Sequence, residues 1–434
     1  MTISNLPPKG TSDWWPDEFA NRKYIFDTWR TVNRQFGYDE YLTPMLESAE
    51  VYRAKSGEDV GGKELMTMID RAGRELAIRP EMTPSVTRMV TRFYKQSPKP
   101  LRLFSIANYY RNERPQRGRN REFWQLNTDI FGTTSLWADL EILQVALELV
   151  LAFNPPAGSF VLRLNHRQLI DAALTEVAQL PAELVTPTVR LLDKYGKIGK
   201  EKFINSSTDL GVSDAAIEAL IQFIECRNLD DLVTQFPIFA ENKGFQDTQT
   251  LLQSLTDLGY GDWITFNASI IRGFDYYDGM VFETFDTHPK NNRALFGGGR
   301  YNGLANIFGS EDIPAVGFAP GDETMRLFLE SWDLLPSETA DPQHIFFPLF
   351  DESLVNECTQ LAQTLRRAGF RVEQGVEQQS FKQALKYANN KGFAYTLILG
   401  SNEAAEGKIV VKNMQDGSQE TVEQANLVAA LNGS

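Results

Sequence analysis

Two segments that read as strands, 102–110 and 123–132, enclose the most basic stretch of the chain, and this pairing limits the fold more than any other feature. Between them, Tyr110-Arg111-Asn112-Glu113-Arg114-Pro115-Gln116-Arg117-Gly118-Arg119-Asn120-Arg121-Glu122-Phe123 holds five arginines and two glutamates within twelve residues. Such a loop can offer bidentate donors to a polyphosphate while Glu113 accepts from an amino group. A solvated hairpin tip would explain the same charge, because surface loops are often charged without being sites.

Around this pair, helix-period and strand-period segments alternate without repeats. Phe19, Phe26, Trp29, Val32 and Phe36 make one apolar helix face that Gly37 ends, and Tyr38 to Pro44 reads as a short strand. Leu136, Leu140, Leu143, Leu147 and Val150 predict a long helix closed by Pro155-Pro156, and Phe160, Leu162 and Leu164 alternate as a strand. Residues 168–258 are mostly helical by pattern, with breaks near Pro181, Gly211 and Pro237, and strands resume near 263. The helical stretch therefore reads as an insertion into a sheet domain. Residues 336–342 are polar and proline-bounded, which is linker chemistry. Beyond them, strands near 344–349, 370–372, 395–399, 408–411 and 420–422 alternate with helices, and Asp416-Gly417 marks a hairpin.

Composition excludes several classes. The chain has 434 residues, room for roughly two to four domains. The start carries no basic segment followed by an apolar run, and no apolar stretch approaches membrane-span length, so a cytoplasmic protein without a membrane partner is expected. Two cysteines and three widely separated histidines give no disulfide framework and no zinc spacing. A net charge of -14 argues against general nucleic-acid coating and leaves room for a local basic groove.

Ile271-Arg272-Gly273-Phe274-Asp275-Tyr276-Tyr277-Asp278-Gly279 sets an arginine, carboxylates and paired tyrosines just before the strand-like run Met280 to Phe285, and Asp278-Gly279 can take the positive φ angles of a tight hairpin. A guanidinium keeps its charge, so Arg272 calls for an anion, either internal (Asp275 or Glu283) or a substrate carboxylate or phosphate. Glu81 and Thr83 fall at a junction between a strand and the helix of Val86, Met89, Val90 and Phe93. There they would cap the helix, or Glu81 would accept from an imidazole N–H.

The ordered set resembles the class II aminoacyl-tRNA synthetases over nearly the whole chain. Phe36 to Glu47 is similar to the first class motif, Tyr110 to Gly132 to the second, and the region 314–330, beginning Pro314-Ala315-Val316-Gly317-Phe318-Ala319-Pro320-Gly321, to the third. Within that class, Arg272 to Tyr277, Leu76 to Pro84, Lys9 to Asp13, Phe296 to Leu304 and the C-terminal module resemble the histidyl-tRNA synthetases. The resemblance implies an α/β (α+β) fold: an antiparallel-sheet catalytic domain over 1–335 with the helical insertion, a linker at 336–342 and a C-terminal α/β anticodon-binding domain over 343–434.

It further implies a homodimer that uses ATP, magnesium and histidine tRNA. By the same resemblance, Arg111, Glu113, Arg119 and Arg272 hold ATP, and the three arginines are catalytic. Arg272 bridges the histidine carboxylate and the α-phosphate. Glu81, Tyr276 and Tyr277 read the imidazole, Thr83, Gln125 and Asp129 hold the amino acid backbone, and Gln116 and Arg117 meet the tRNA acceptor end. Two other readings stay open, a non-catalytic histidine-sensing relative and a synthetase for another amino acid. One departure stands out. Thr324 occupies the position where the third motif normally has an arginine, and Arg326, two residues on, lies about 200° around a helix from it. Arg300 is one candidate substitute.

Overall fold

The computed structural model describes residues 3–54, 58–271, 277–291, 293–336 and 344–432. Met1–Leu335 and Pro336–Ser434 form two compact units.

The first unit is organised by an eight-stranded sheet. Its strands are β1 (Asp39–Glu40), β2 (Leu101–Tyr110), β3 (Glu122–Phe131), β4 (Phe160–His166), β5 (Ile264–Phe266), β6 (Met280–Asp286), β7 (Ala294–Tyr301) and β8 (Ala315–Phe318). They lie in the order β1-β2-β3-β8-β7-β6-β4-β5. Pairing is antiparallel throughout except at the two ends, where β1 joins β2 and β5 joins β4 in parallel. The mixed α/β fold with an antiparallel-rich sheet is thus the class expected. β2 and β3 pair along their full length, from Leu101 opposite Phe131 to Tyr110 opposite Glu122, and this ladder carries the arginine loop at its tip.

One face of the sheet is sealed by helices. α1 (Pro16–Gln35) starts with proline and an acidic first turn, both suited to a helix N-terminus, and buries Ile25, Phe26, Trp29 and Val32. α3 (Leu136–Leu151) is capped by Ser135, whose hydroxyl accepts from the Trp137 N–H at 3.3 Å, and buries Ile142, Leu143, Ala146 and Val150 in the same core. α2 (Thr83–Phe93) packs elsewhere, joining Met82, Val86 and Val90 to Ala107, Tyr109, Phe131 and Tyr301. α4 (Asp322–Ser331) follows β8 directly.

Several expectations change in detail. The strand expected over 38–44 is the two residues Asp39–Glu40, and a separate three-stranded sheet forms from Leu46–Ser48, Met66–Ile69 and Glu75–Ile78. The stretch 168–258 is indeed helical, but Pro187 sits inside the helix Ala182–Leu192 without ending it. Asp278-Gly279 does not adopt positive φ. Asp278 instead clasps the end of β7: its N–H donates to Arg300 O at 3.0 Å, and its carboxylate accepts from the Asn302 backbone and side chain at 3.2 and 3.0 Å.

The second unit has a five-stranded sheet from His344–Leu349, Arg371–Gln378, Tyr395–Ile398, Lys408–Asn413 and Gln419–Glu423. Its core gathers Ile345, Phe347, Cys358, Leu365, Leu397 and Ile409, and Gly417 at φ +77 turns the last hairpin.

Candidate active site

Alternation along β3 puts Gln125, Asn127 and Asp129 on one face, toward α2 and Tyr109. Asp129 is 2% exposed. The Tyr301 hydroxyl donates to its Oδ1 at 2.7 Å, while Oδ2 has no hydrogen-bond partner among the described residues. Burial pushes this carboxyl up to about 7, against the opposing pull of the Tyr301 bond. The neighbouring strand has to yield for it, because a Cβ on Gly317, which pairs with Asp129, would overlap the carboxylate. Gln125 donates to Ala319 O at 3.2 Å and bridges Gly321, tying β3 to the start of α4.

Tyr277 reaches the same region. A Cβ on Gly299 would lie 2.8 Å from its ring, so the aromatic rests directly on β7, and Tyr277 also packs against the cluster that holds Tyr301. Glu81 and Thr83 flank Met82, the N-cap of α2, which makes no side-chain capping bond. Arg272 and Tyr276 lie outside the described residues, as do Gly273, Phe274 and Asp275.

The arginine loop is pinned on several sides. The Arg111 guanidinium donates to Pro80 O at 3.0 Å and lies 5.1 Å from the Phe123 ring. Burial lowers its pKa, with Glu81 and Glu113 opposing. Arg119 pairs with Glu113 and reaches Glu64 at 3.6 Å. Arg121 donates to Glu113 O at 3.0 Å, and its backbone N–H to Gly10 O at 2.8 Å, so the N-terminal segment lines the base of the loop. Gln116 and Arg119 exchange backbone hydrogen bonds of 2.9 Å around the exposed Arg117 and Gly118 at φ +73. Among the described residues, the structure therefore brings Glu81, Thr83, Arg111, Gln125, Asp129 and Tyr277 around β3 and the α2 junction, and leaves Gln116 and Arg117 at the loop tip.

Two other arginines of this region, Arg300 and Arg79, are structural. Arg300, the candidate substitute for the third-motif arginine, is 8% exposed and committed to Asp139 at 2.9 Å and to the carbonyls of Thr133 and Ser135. Arg79 is 3% exposed and donates to Thr43 O and Asn108 O. Burial with multiple acceptors would mark both, and the sequence alone does not show it.

Comparison with known proteins decides the family. A family model for histidyl-tRNA synthetase matches residues 10–323, and one for an anticodon binding domain matches 342–433. The chain belongs to the histidyl-tRNA synthetase family. Among its relatives is a histidine–tRNA ligase of Leptospira biflexa, 38% identical over 97% of this chain and 95% of the relative. Another, from Thermococcus kodakarensis, is 33% identical over 98% and 97%. In fold, the chain is similar to the crystal structure of histidyl-tRNA synthetase from Nostoc sp. PCC 7120, with a TM-score of 0.83 at 23% identity and full coverage of both chains. The class II family membership also accounts for the strand-loop-strand geometry of β2 and β3.

Proposed function

We propose that this chain activates histidine with ATP to histidyl-adenylate and transfers the histidyl group to the 3′ end of histidine tRNA. The observation that carries the reading is the buried Asp129 carboxylate, whose open Oδ2 lies on the strand that leads to the arginine loop. A carboxylate without a counterion among the described residues suits an α-ammonium.

The reaction joins the histidine carboxylate to the α-phosphate and releases pyrophosphate, so negative charge must be gathered and redistributed. In this reading Asp129 holds the ammonium, with Gln125 and Thr83 beside the amino acid backbone. Glu81, Tyr276 and Tyr277 select the imidazole by accepting from one ring nitrogen and donating to the other. Arg111, Glu113 and Arg119 bind ATP, the Arg119 to Glu113 pair opening so that the guanidinium turns to phosphate. Arg272 spans the histidine carboxylate and the α-phosphate as charge develops. Gln116 and Arg117 meet the tRNA acceptor end, and residues 343–434 recognise the anticodon.

Magnesium accompanies the ATP phosphates. Among the described residues no cluster of three or more His, Cys, Asp or Glu side chains could hold a metal, and no step here is routed through one. A second copy of the chain would cover Leu42, Met45, Leu46, Met68, Ile69 and Phe93, large apolar side chains exposed around the small sheet and the end of α2. No helix among the described residues is long and apolar enough to cross a membrane. The test is charging of histidine tRNA with labelled histidine. Wild type should charge it and Arg272→Ala should not; a fully active Arg272→Ala variant would remove that residue from the mechanism.

A further inference from the structure

The third motif's helix starts as the family pattern requires, with Gly321 as its N-cap, yet Thr324 stands in the third position of α4 and donates its hydroxyl to Leu295 O at 2.9 Å. Two arginines at this helix start are engaged elsewhere. Arg326 pairs with Glu323 and Glu330 at 2.8 and 3.0 Å, and Arg22 is buried against Asp322. Beside Thr324, however, lies an open surface pocket whose wall carries Arg117, Lys290 and Arg293. All three cations are exposed at its rim. A Cβ on Gly118 would lie 3.3 Å from Leu327, 3.9 Å from the Arg293 side chain and 4.0 Å from Thr324, so the loop tip is seated on the helix beside Arg293. The Arg293 guanidinium also donates to Gln116 at 2.5 Å.

Among the described residues the wall carries three cations and no carboxylate, between the arginine loop and a helix N-terminus, a setting that suits an anion. We infer that Arg293 supplies the guanidinium that the third motif lacks, and with Arg117 and Lys290 takes the terminal phosphates of ATP. This rests on the reading above that ATP is the substrate. It gives Arg117 a nucleotide contact as well as its place near the acceptor end, and makes Gln116 the latch that holds Arg293 before ATP arrives.

The experiment measures binding of ATP, inorganic pyrophosphate and AMP to the full chain by calorimetry, together with KM values from pyrophosphate exchange. Arg293→Ala should weaken ATP and pyrophosphate about tenfold or more, the loss expected for one charge-assisted contact. It should leave AMP binding and the histidine KM unchanged, and Arg293→Lys should recover part of the loss. Unchanged pyrophosphate affinity in Arg293→Ala overturns the inference. So does an equal loss of ATP and AMP affinity shared by Gln116→Ala, which marks a brace for the loop. Wild-type exchange that does not depend on histidine sinks the broader reading instead, whereas pyrophosphate binding reports on the pocket regardless.

Discussion

The Tyr301 hydroxyl donates to one oxygen of the Asp129 carboxylate at 2.7 Å and leaves the other oxygen, buried, without a partner among the described residues. A site arranged this way is costly to the free protein and becomes satisfied when an ammonium arrives. Function and stability should therefore separate at this residue.

Asp129→Asn tests that separation. The variant should raise the histidine KM about tenfold or more, since a charge-assisted bond is lost. Its melting temperature at pH 8 should equal or exceed that of the wild type, because an uncompensated buried carboxylate is gone. Thermal unfolding followed beside the kinetics gives both numbers.

The same group sets a pH dependence. With its pKa raised to about 7, Asp129 in the free protein is protonated as pH falls below that value. The histidine KM should then rise about tenfold between pH 8 and pH 6, as one proton competes with the ammonium. Asp129→Asn should lack this component. For stability the sign is the reverse: the folded state holds the proton more tightly than the unfolded chain, so this group's ionisation lowers stability as pH rises from about 4 to about 7.

His166 pulls the other way. It caps the helix Arg167–Ala172 by accepting from Gln168 N–H at 3.2 Å, and burial lowers its pKa to about 4. Its neutral form contributes stability that is present above the ordinary value of 6.5 and lost as pH falls toward 4, on the order of 3 kcal/mol. Asn at this position keeps a capping oxygen and cannot titrate. Denaturant unfolding at pH 7 and pH 4.5 should show a smaller acid loss in His166→Asn than in wild type.

Arg300 should behave as a strut. Removing it leaves Asp139, which is 3% exposed, as a buried charge without its partner, a loss of about 3–5 kcal/mol. Arg300→Ala should unfold at markedly lower temperature. Adding Asp139→Asn should restore part of that stability, a non-additivity that a thermal double-mutant cycle would read out.

Much of this was legible in the residues. Strands β2 and β3, the helix after Ser135 and the C-terminal hairpin all follow from period and turn chemistry. The small sheet was legible only in part: a strand before Glu81 could be read, but Leu46–Ser48 is only three residues long, too short for a period to show. Asp278-Gly279 reads as a tight turn, yet the Asp278 N–H donates to Arg300 O and its carboxylate accepts from Asn302, and these long-range bonds go with a different backbone. The site was legible chiefly through motif resemblance. Arg293 carries no such signal, since its meaning depends on the loop tip that Gly118 seats against Leu327 and Thr324.

The most direct test of the account is exchange of labelled pyrophosphate into ATP, run with each standard amino acid in turn. Exchange should occur with histidine alone and be abolished in Asp129→Asn at low histidine concentration. Folded protein that binds histidine without supporting exchange would contradict it, and would instead describe a histidine-sensing relative.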